Sequence, residues 1–422
     1  MNAHYDAIVI GGGPAGTSAA LLLARAGWAV ALVERKTFPR RKVCGEYLSA
    51  TNLPLFDHLG IGEHFRALAG PPVKKVGLFA GRTIAESSLP TLGGMPTPRR
   101  PWHTLEPGRR WHGTHPRGNS EWGRALSREQ LDTWLMDQVR TEGVDVRQPW
   151  TIDDLTKEGD EYLCQARSTE TGWLSVIRAP IVIAAHGSWD AGRLPTQEPR
   201  CPALPADLLA FKAHFHGSDL PEGLMPLLAF AGGYGGMVHC DDGRVSLSCC
   251  VRRDQLARIR GQYPGDAGGA VLAHIQESCL GVRQALARAT RHGVWLAAGP
   301  IRPGIRVDSS NGIFRVGNTA GEAHPLVAEG ISMALQSSWL LVERLTAWKR
   351  QNGSIESLAR VQSGYASAWR KCFAPRIWAS RAIAHWAMQA TTVSMSLPLL
   401  RCLPILLSWG ARLSGKASSV IR

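Results

Sequence analysis

The sequence has nine cysteines and no Cys-x-x-Cys pair among them. Scattered thiols without framework spacing exclude a disulfide-stapled scaffold and a zinc ribbon, and read as reduced cysteines. No signal peptide is expected at this N-terminus: Met1 to Asp6 carries no basic region, and the first apolar run is short. Acidic residues are scarce, 34 against 48 Lys and Arg, for a net charge of +14. No nucleic-acid motif accompanies that charge, so no nucleic-acid partner is expected. An anionic membrane surface, an acidic or phosphorylated ligand and a plain solvated basic face stay open. The expectation is a cytoplasmic chain without a bound metal, and 422 residues suffice for two domains or one large composite.

What is present begins with Tyr5 to Arg35. Ala7 to Ile10 reads as a buried strand, and Gly11 to Gly16 follows at once. Thr17 to Ala26 reads as a helix stopped by Gly27, and Ala29 to Val33 is a second strand ending on Glu34. Gly11 permits the tight turn, Gly13 lets backbone approach a pyrophosphate, and Gly16 lets helix and strand pack closely. Pro14 and Ala15 complete the loop whose N–H groups and helix dipole face the phosphates. Glu34, 23 positions after Gly11, is placed to accept from ribose hydroxyls.

Phe38 to Ser49 follows, where ligands sit at the carboxyl ends of such strands. It holds Cys44-Gly45-Glu46 after three basic residues. Cys44 is either a small packed thiol or a group activated by nearby positive charge. Ala50 to Ala69 reads as interrupted helix and Val73 to Ser88 as a hairpin turning near Gly81. Pro90 to Asn119 is an aperiodic loop whose His103, His112 and His115 lack metal-ligand spacing; it suits an anionic reductant or substrate. Gly123 to Val139 reads as a helix capped by Ser127. Trp173 to Ile183 ends in an apolar strand, and Pro195 to Pro205 is a domain crossing. Ala210 to His216 and a hairpin within Leu227 to Val251 follow, the latter bare at Gly232 to Gly236. Arg252 to Arg291 reads as amphipathic helix broken near Pro264. In Gly312 to Leu341, a strand leads into the turn Gly317-Asn318, and Glu329-Gly330 opens the helix Ile331 to Leu345.

These stretches resemble the single-Rossmann FAD proteins that include aromatic hydroxylases, flavin halogenases and geranylgeranyl-reductase-like enzymes. The resemblance implies FAD, with Gly11, Gly13, Pro14, Ala15, Gly16, Glu34 and Arg35 on the ADP half. It implies Gly317, Asn318, Glu329, Gly330 and Ile331 on the ribityl chain and flavin ring. Asn318 stands where the family usually has Asp, which removes a charge. The family's Arg-Asp pair is matched by Arg124 or Arg128 with Asp132, and Ala185-His186-Gly187 by its strand-end motif near the adenosine. Cys44-Gly45-Glu46 looks like the stretch of the reductase-like branch, which makes Cys44 and Glu46 groups facing the flavin, with Pro325 lining its face. The aromatic-rich Trp-x-Phe-Pro element of prenyl reductases and the Trp-x-Trp-x-Ile-Pro element of halogenases are both absent. With no second glycine fingerprint, NAD(P)H docking transiently, or a separate reductase, is expected to deliver the electrons.

The expected architecture is α/β: a discontinuous Rossmann-type FAD-binding domain (1–72, 120–192, 296–345), an interleaved antiparallel β-sheet substrate domain (73–119, 193–295) and a helical C-terminal region (346–422). From Leu341 onward stand twelve Lys and Arg against two acids. Ala382 to Leu400 is uncharged but broken by polar residues and Pro398, which reads as an interfacial segment or a cap on the substrate domain. The expected activity is an FAD-dependent monooxygenase or related oxidoreductase on a small lipophilic molecule, aromatic or polyketide-like. C=C reduction of a polyprenyl or unsaturated lipid is the alternative, and a flavin-binding electron carrier or non-catalytic homologue the third.

Overall fold

The computed structural model describes residues 2–89, 121–188, 192, 194–197, 199, 201–308, 312–403 and 405–416. The loop Pro90 to Asn119 and its three histidines lie outside them. Five parallel strands form the nucleotide sheet, in the order Phe314–Arg315, Ile181–Ala184, Ala7–Ile10, Val30–Val33, Asp145–Arg147. Alternation along a strand sends successive side chains to opposite faces. Ala7 and Val9 therefore join the helices Pro14–Arg25, Arg128–Thr141 and Gly330–Arg350 in one apolar core. Ile8 and Ile10 join a four-stranded sheet, Asn2–His4, Leu174–Ala179, Glu161–Ser168 and Trp150–Glu158, in another.

The large sheet has seven strands in the order Thr290–Ile301, Leu208–His216, Val245–Arg252, Gly233–His239, Leu224–Phe230, Lys75–Ala80, Thr83–Ser88. All its pairings are antiparallel except Leu224–Phe230 with Lys75–Ala80. Helices Arg253–Gln262, Ala267–Ser278 and Leu280–Ala285 cover one face. The other face meets the C-terminal helices Leu358–Met388, Ala390–Cys402 and Ile405–Ala411. The expected α/β class, with an interleaved, largely antiparallel sheet and a helical C-terminal region, is the observed one.

Local differences have local causes. Trp173 to Ile183 splits into Leu174–Ala179 and Ile181–Ala184, in different sheets, at Pro180, which has no N–H to give a ladder. The helix expected from Gly123 begins at Arg128, because Ser127 Oγ accepts from the Gln130 N–H (3.3 Å). Arg124–Ala125 before it pairs instead with Tyr47–Leu48. The helical run expected to Arg291 gives way at Thr290 to a strand that reaches Ile301, so the boundary set at residue 296 falls inside the large sheet.

Gly16 locks helix to strand: a Cβ there would lie 1.8 Å from the Gly11 carbonyl oxygen and 3.2 Å from Ala185 Cβ. Gly16→Ala is expected to cost about 1–3 kcal/mol in urea unfolding. Gly13→Ala, whose Cβ would meet only an Arg128 nitrogen at 3.6 Å, should leave the midpoint nearly unmoved. Equal midpoints for the two variants would contradict the close packing.

Candidate active site

A continuous cleft of about 1030 Å³ runs from the carboxyl ends of the parallel strands to the inner face of the large sheet. Single small-molecule pockets span roughly 300–1,000 Å³. Its nucleotide end is built by backbone. Gly11 sits at φ +109°, where a Cβ would lie 2.6 Å from the Ala185 carbonyl oxygen. The helix Pro14–Arg25 has no side-chain cap on its first N–H groups, and Gly13, Pro14 and Ala15 line the cleft there. The Gly12 N–H donates to Glu34 Oε2 (2.7 Å), while Glu34 Oε1 accepts from the Lys36 N–H (2.8 Å) and Arg40 (3.2 Å). Arg35 lines the same edge.

Arg40, Arg41, Lys42 and Arg128 line a cationic corner beside this loop. Nε of Arg40 and both Nε and Nη2 of Arg41 are buried without a hydrogen-bond partner. Burial, reinforced by Arg128 and Arg40, lowers the Lys42 ammonium to about 8. Arg128 holds Asp132 through two hydrogen bonds of 2.7 Å on one helix face. The Arg-Asp pair is therefore Arg128 with Asp132. Arg124 is not among the cleft-lining residues: it stands in the strand before the helix and donates to the Gly70 carbonyl (3.0 Å).

The second motif packs directly on the first. A Cβ at Gly317, φ +59°, would lie 2.8 Å from Ala15 Cβ. The Gly317 N–H donates to Ser337 Oγ (2.8 Å), and the Gly187 N–H donates to Thr319 Oγ1 (3.0 Å). Asn318 donates its amide to Glu322 Oε1 (3.1 Å), and Ser188 Oγ donates to Glu322 Oε2 (2.7 Å). Glu322, absent from the sequence reading, thus carries the carboxylate that Asn318 lacks, and both line the cleft.

Pro325 begins the 3₁₀ turn Pro325–Val327, and Ala328 at φ +52° swings the chain into the helix Gly330–Arg350. Pro325, Gly330 and Ile331 line the cleft. Glu329 lies behind them with no exposure, and Lys416 reaches back to its Oε1 (3.1 Å) and to the Val327 carbonyl. Glu329 Oε2 is buried without a hydrogen-bond partner.

Cys44, Gly45 and Glu46 also line the cleft. Cys44 is half-buried, accepts from the Glu46 N–H (3.4 Å) and interacts with Arg128. Glu46 is buried at φ +62°. Its carboxylate bonds His214 Nε2 (2.7 Å), pairs with Lys212 and accepts from the Arg128 N–H (3.0 Å). Burial opposes its charge, yet Lys212 and His214 outweigh that and bring it down to about 2. A carboxylate so held is ionised near neutrality, and it ties the Cys44 loop to Lys212, His214 and the Arg128 N–H. Cys240 completes a cluster with Glu46 and His214 whose donor atoms lie within 4.8 Å. Burial raises the Cys240 thiol, and Lys212 already neutralises the carboxylate, so the group is an ion-paired link and a poor cation site.

The cleft can hold FAD: glycine backbone and a helix N-terminus for the pyrophosphate, Glu34 for a ribose, orphaned arginine nitrogens for anionic charge, and a second glycine turn beyond. Residues 4–199 match a family model described as an FAD binding domain. That match takes in the N-terminal 196 of 422 residues, and beyond it the chain is similar in fold to solved flavin halogenases and a geranylgeranyl bacteriochlorophyll reductase-like protein. The chain is 24% identical over 392 residues to digeranylgeranylglycerophospholipid reductase 2 of Methanopyrus kandleri, covering 90% of this chain and 86% of that one. Tryptophan 2-halogenase of Chondromyces crocatus is 50% identical over only 60 residues, 14% of this chain and 11% of that one. The solved myxobacterial chondrochloren halogenase shares the fold, with a TM-score of 0.73 at 20% identity over 100% of this chain and 92% of that one.

Glu46→Gln would leave Lys212 buried without its counter-charge and is expected to cost about 3–5 kcal/mol. The wild-type carboxylate is depressed from 4.5 to about 2, so its contribution is whole above pH 4.5 and is lost as pH falls through 2. Urea midpoints between pH 6 and 2 should fall more steeply for wild type than for Glu46→Gln; parallel profiles would refute the assignment. Asn318→Asp would set a second carboxylate beside Glu322. Equilibrium titration should show FAD binding weakened roughly tenfold near neutral pH, with partial recovery at pH 5.

Proposed function

We propose that this chain is an FAD-dependent monooxygenase acting on a small apolar molecule, aromatic or polyketide-like. The observation that supports it most is the continuity of the nucleotide cleft with an apolar chamber opening beside Pro325 and Ile331. Leu227, Met237, Ile301, Ile383, Leu400 and Leu407 contribute to its walls. Bound FAD would supply two-electron chemistry, with electrons from transiently docking NAD(P)H or from a separate reductase.

The chain's own residues bind, orient and dry the site. Gly13 to Ala15, Glu34 and Arg128 would hold the ADP half, and Asn318 with Glu322 the ribityl hydroxyls. The helix starting at Gly330 would offer N–H groups to negative charge on the ring. The apolar walls exclude water from the reacting centre. Tyr234 lines the chamber, with its hydroxyl 3.2 Å from His324 Nδ1. Burial raises the phenol well above its ordinary value, while burial and Arg381 lower the imidazole to about 4. At neutral pH the pair is uncharged, with the phenol protonated and able to orient a polar group on a substrate.

A second reading, C=C reduction of a polyprenyl or unsaturated lipid, draws support from Cys44 lining the cleft beside Arg128. It also draws on the near-full-length likeness to a digeranylgeranylglycerophospholipid reductase. The non-catalytic reading rested on Asn318 alone, and Glu322 beside it weakens that ground.

The FAD-loaded protein, given NADPH and labelled oxygen gas with aromatic, polyketide and polyprenyl substrates, is expected to place label in an aromatic or polyketide product. Saturation of a polyprenyl double bond without oxygen, and no label incorporated, would overturn this in favour of the second reading.

A further inference from the structure

The last helices have two apolar faces. Helix Ala390–Cys402 turns by 116° into Ile405–Ala411. The inner side of this bent pair, Val393, Leu397, Leu400 and Leu407, packs on Leu78, Ala80, Ala229 and Tyr234 of the large sheet. Ser408 ties it to the edge strand through Ser87 Oγ (2.7 Å). The outer side leaves Met395, Leu399, Leu403, Ile405 and Trp409 exposed, Met395 at 82%. A surface helix normally turns charge outward; here leucine, isoleucine and tryptophan face solvent.

Charge gives this face a sign. From Ser357 to Arg422 the chain has nine Lys and Arg and no Asp or Glu. Arg381 and Arg412, both exposed, flank the apolar residues in sequence, and Trp378 is exposed one turn before Arg381. Aromatic, aliphatic and arginine side chains without acids are the composition of a segment lying in the plane of an anionic bilayer. Among the described residues no single helix is long and apolar enough to cross a membrane; the bent pair is so only when its two helices are taken together, and its inner side is occupied by the large sheet.

We propose that the outer face of residues 391–412 docks on an anionic lipid bilayer and that the chamber takes its substrate from the lipid phase. The two halves meet at Leu399, which is 54% exposed and also lines the chamber, with Leu400, Leu406 and Leu407 continuing inward. A route between these helices passes aliphatic side chains, so a lipid-dissolved molecule with a long apolar tail reaches Pro325 without crossing water. The substrate half rests on the proposed function; the docking half does not.

The test floats full-length, FAD-loaded protein with phosphatidylcholine vesicles, with and without 30% phosphatidylglycerol. Wild type is expected to float with the anionic vesicles and to be released by salt. Arg381→Gln and Arg412→Gln should each weaken binding about fivefold. Leu403→Glu with Ile405→Glu should weaken it at least tenfold while flavin content and melting temperature hold. If that double variant fails to fold, Met395→Glu tests the same face. Wild type that stays at the bottom with both vesicle types overturns docking. So does a wild-type dimer that the glutamates split, which would make a second copy the occupant. Absence of oxygenase and reductase activity with flotation intact would sink the proposed function and leave the docking face standing.

Discussion

The buried charge on Glu46 is the constraint on which the arrangement of the two halves depends. A lone carboxylate with 1% exposure is untenable. Here it is answered from two directions: Lys212 and His214 on a strand of the large sheet, and the first N–H of the helix Arg128–Thr141 on the nucleotide side. The loop carrying Cys44 is thereby fixed against both domains. Removing Lys212 or Glu46 alone leaves the other charged in a dry interior, so the interface tolerates one registration of sheet against helix.

The nucleotide motifs show the same economy at smaller scale. Gly317 rests on Ala15, and Ser338 Oγ donates to the Ala15 carbonyl (2.7 Å), so the first glycine loop and the Gly317 turn are parts of one contact surface. The exchange of Asp for Asn at 318 is absorbed within that surface, since an amide beside Glu322 donates a hydrogen bond where an acid would repel. A departure from a family's pattern can thus be read only with the neighbour that compensates it.

Much of this was legible beforehand. Strand, glycines, helix, strand and acid arrive in order between Ala7 and Glu34, and each part acts on its immediate neighbours. The sequence left Arg124 and Arg128 both open as partners of Asp132 within a helix read from Gly123; the helix starts only after the Ser127 cap, which puts Arg124 outside it and selects Arg128, four residues before Asp132. Lys212 and His214 left a fainter signal: two basic side chains on the inward-facing side of Leu208–His216, where only a distant acid makes sense of them. Glu322 and Lys416 left almost none. Glu322 sits four residues after Asn318 but is fixed beside it by Ser188, 134 residues away, and Lys416 pairs with Glu329, 87 residues away. Pattern within a window cannot report contacts of that separation.

The tie between Lys416 and Glu329 also bears on the order in which the protein is made. Chains emerge N-terminus first, and early segments fold while later ones are still being added. The dinucleotide loop, its helix and the parallel strands can be in place once the helix Gly330–Arg350 has left the ribosome. The carboxylate of Glu329 gains its Lys416 partner only when the last stretch of the helical C-terminal region has been added. The end of the cleft at Gly330 is in this sense the last part of the molecule to be completed.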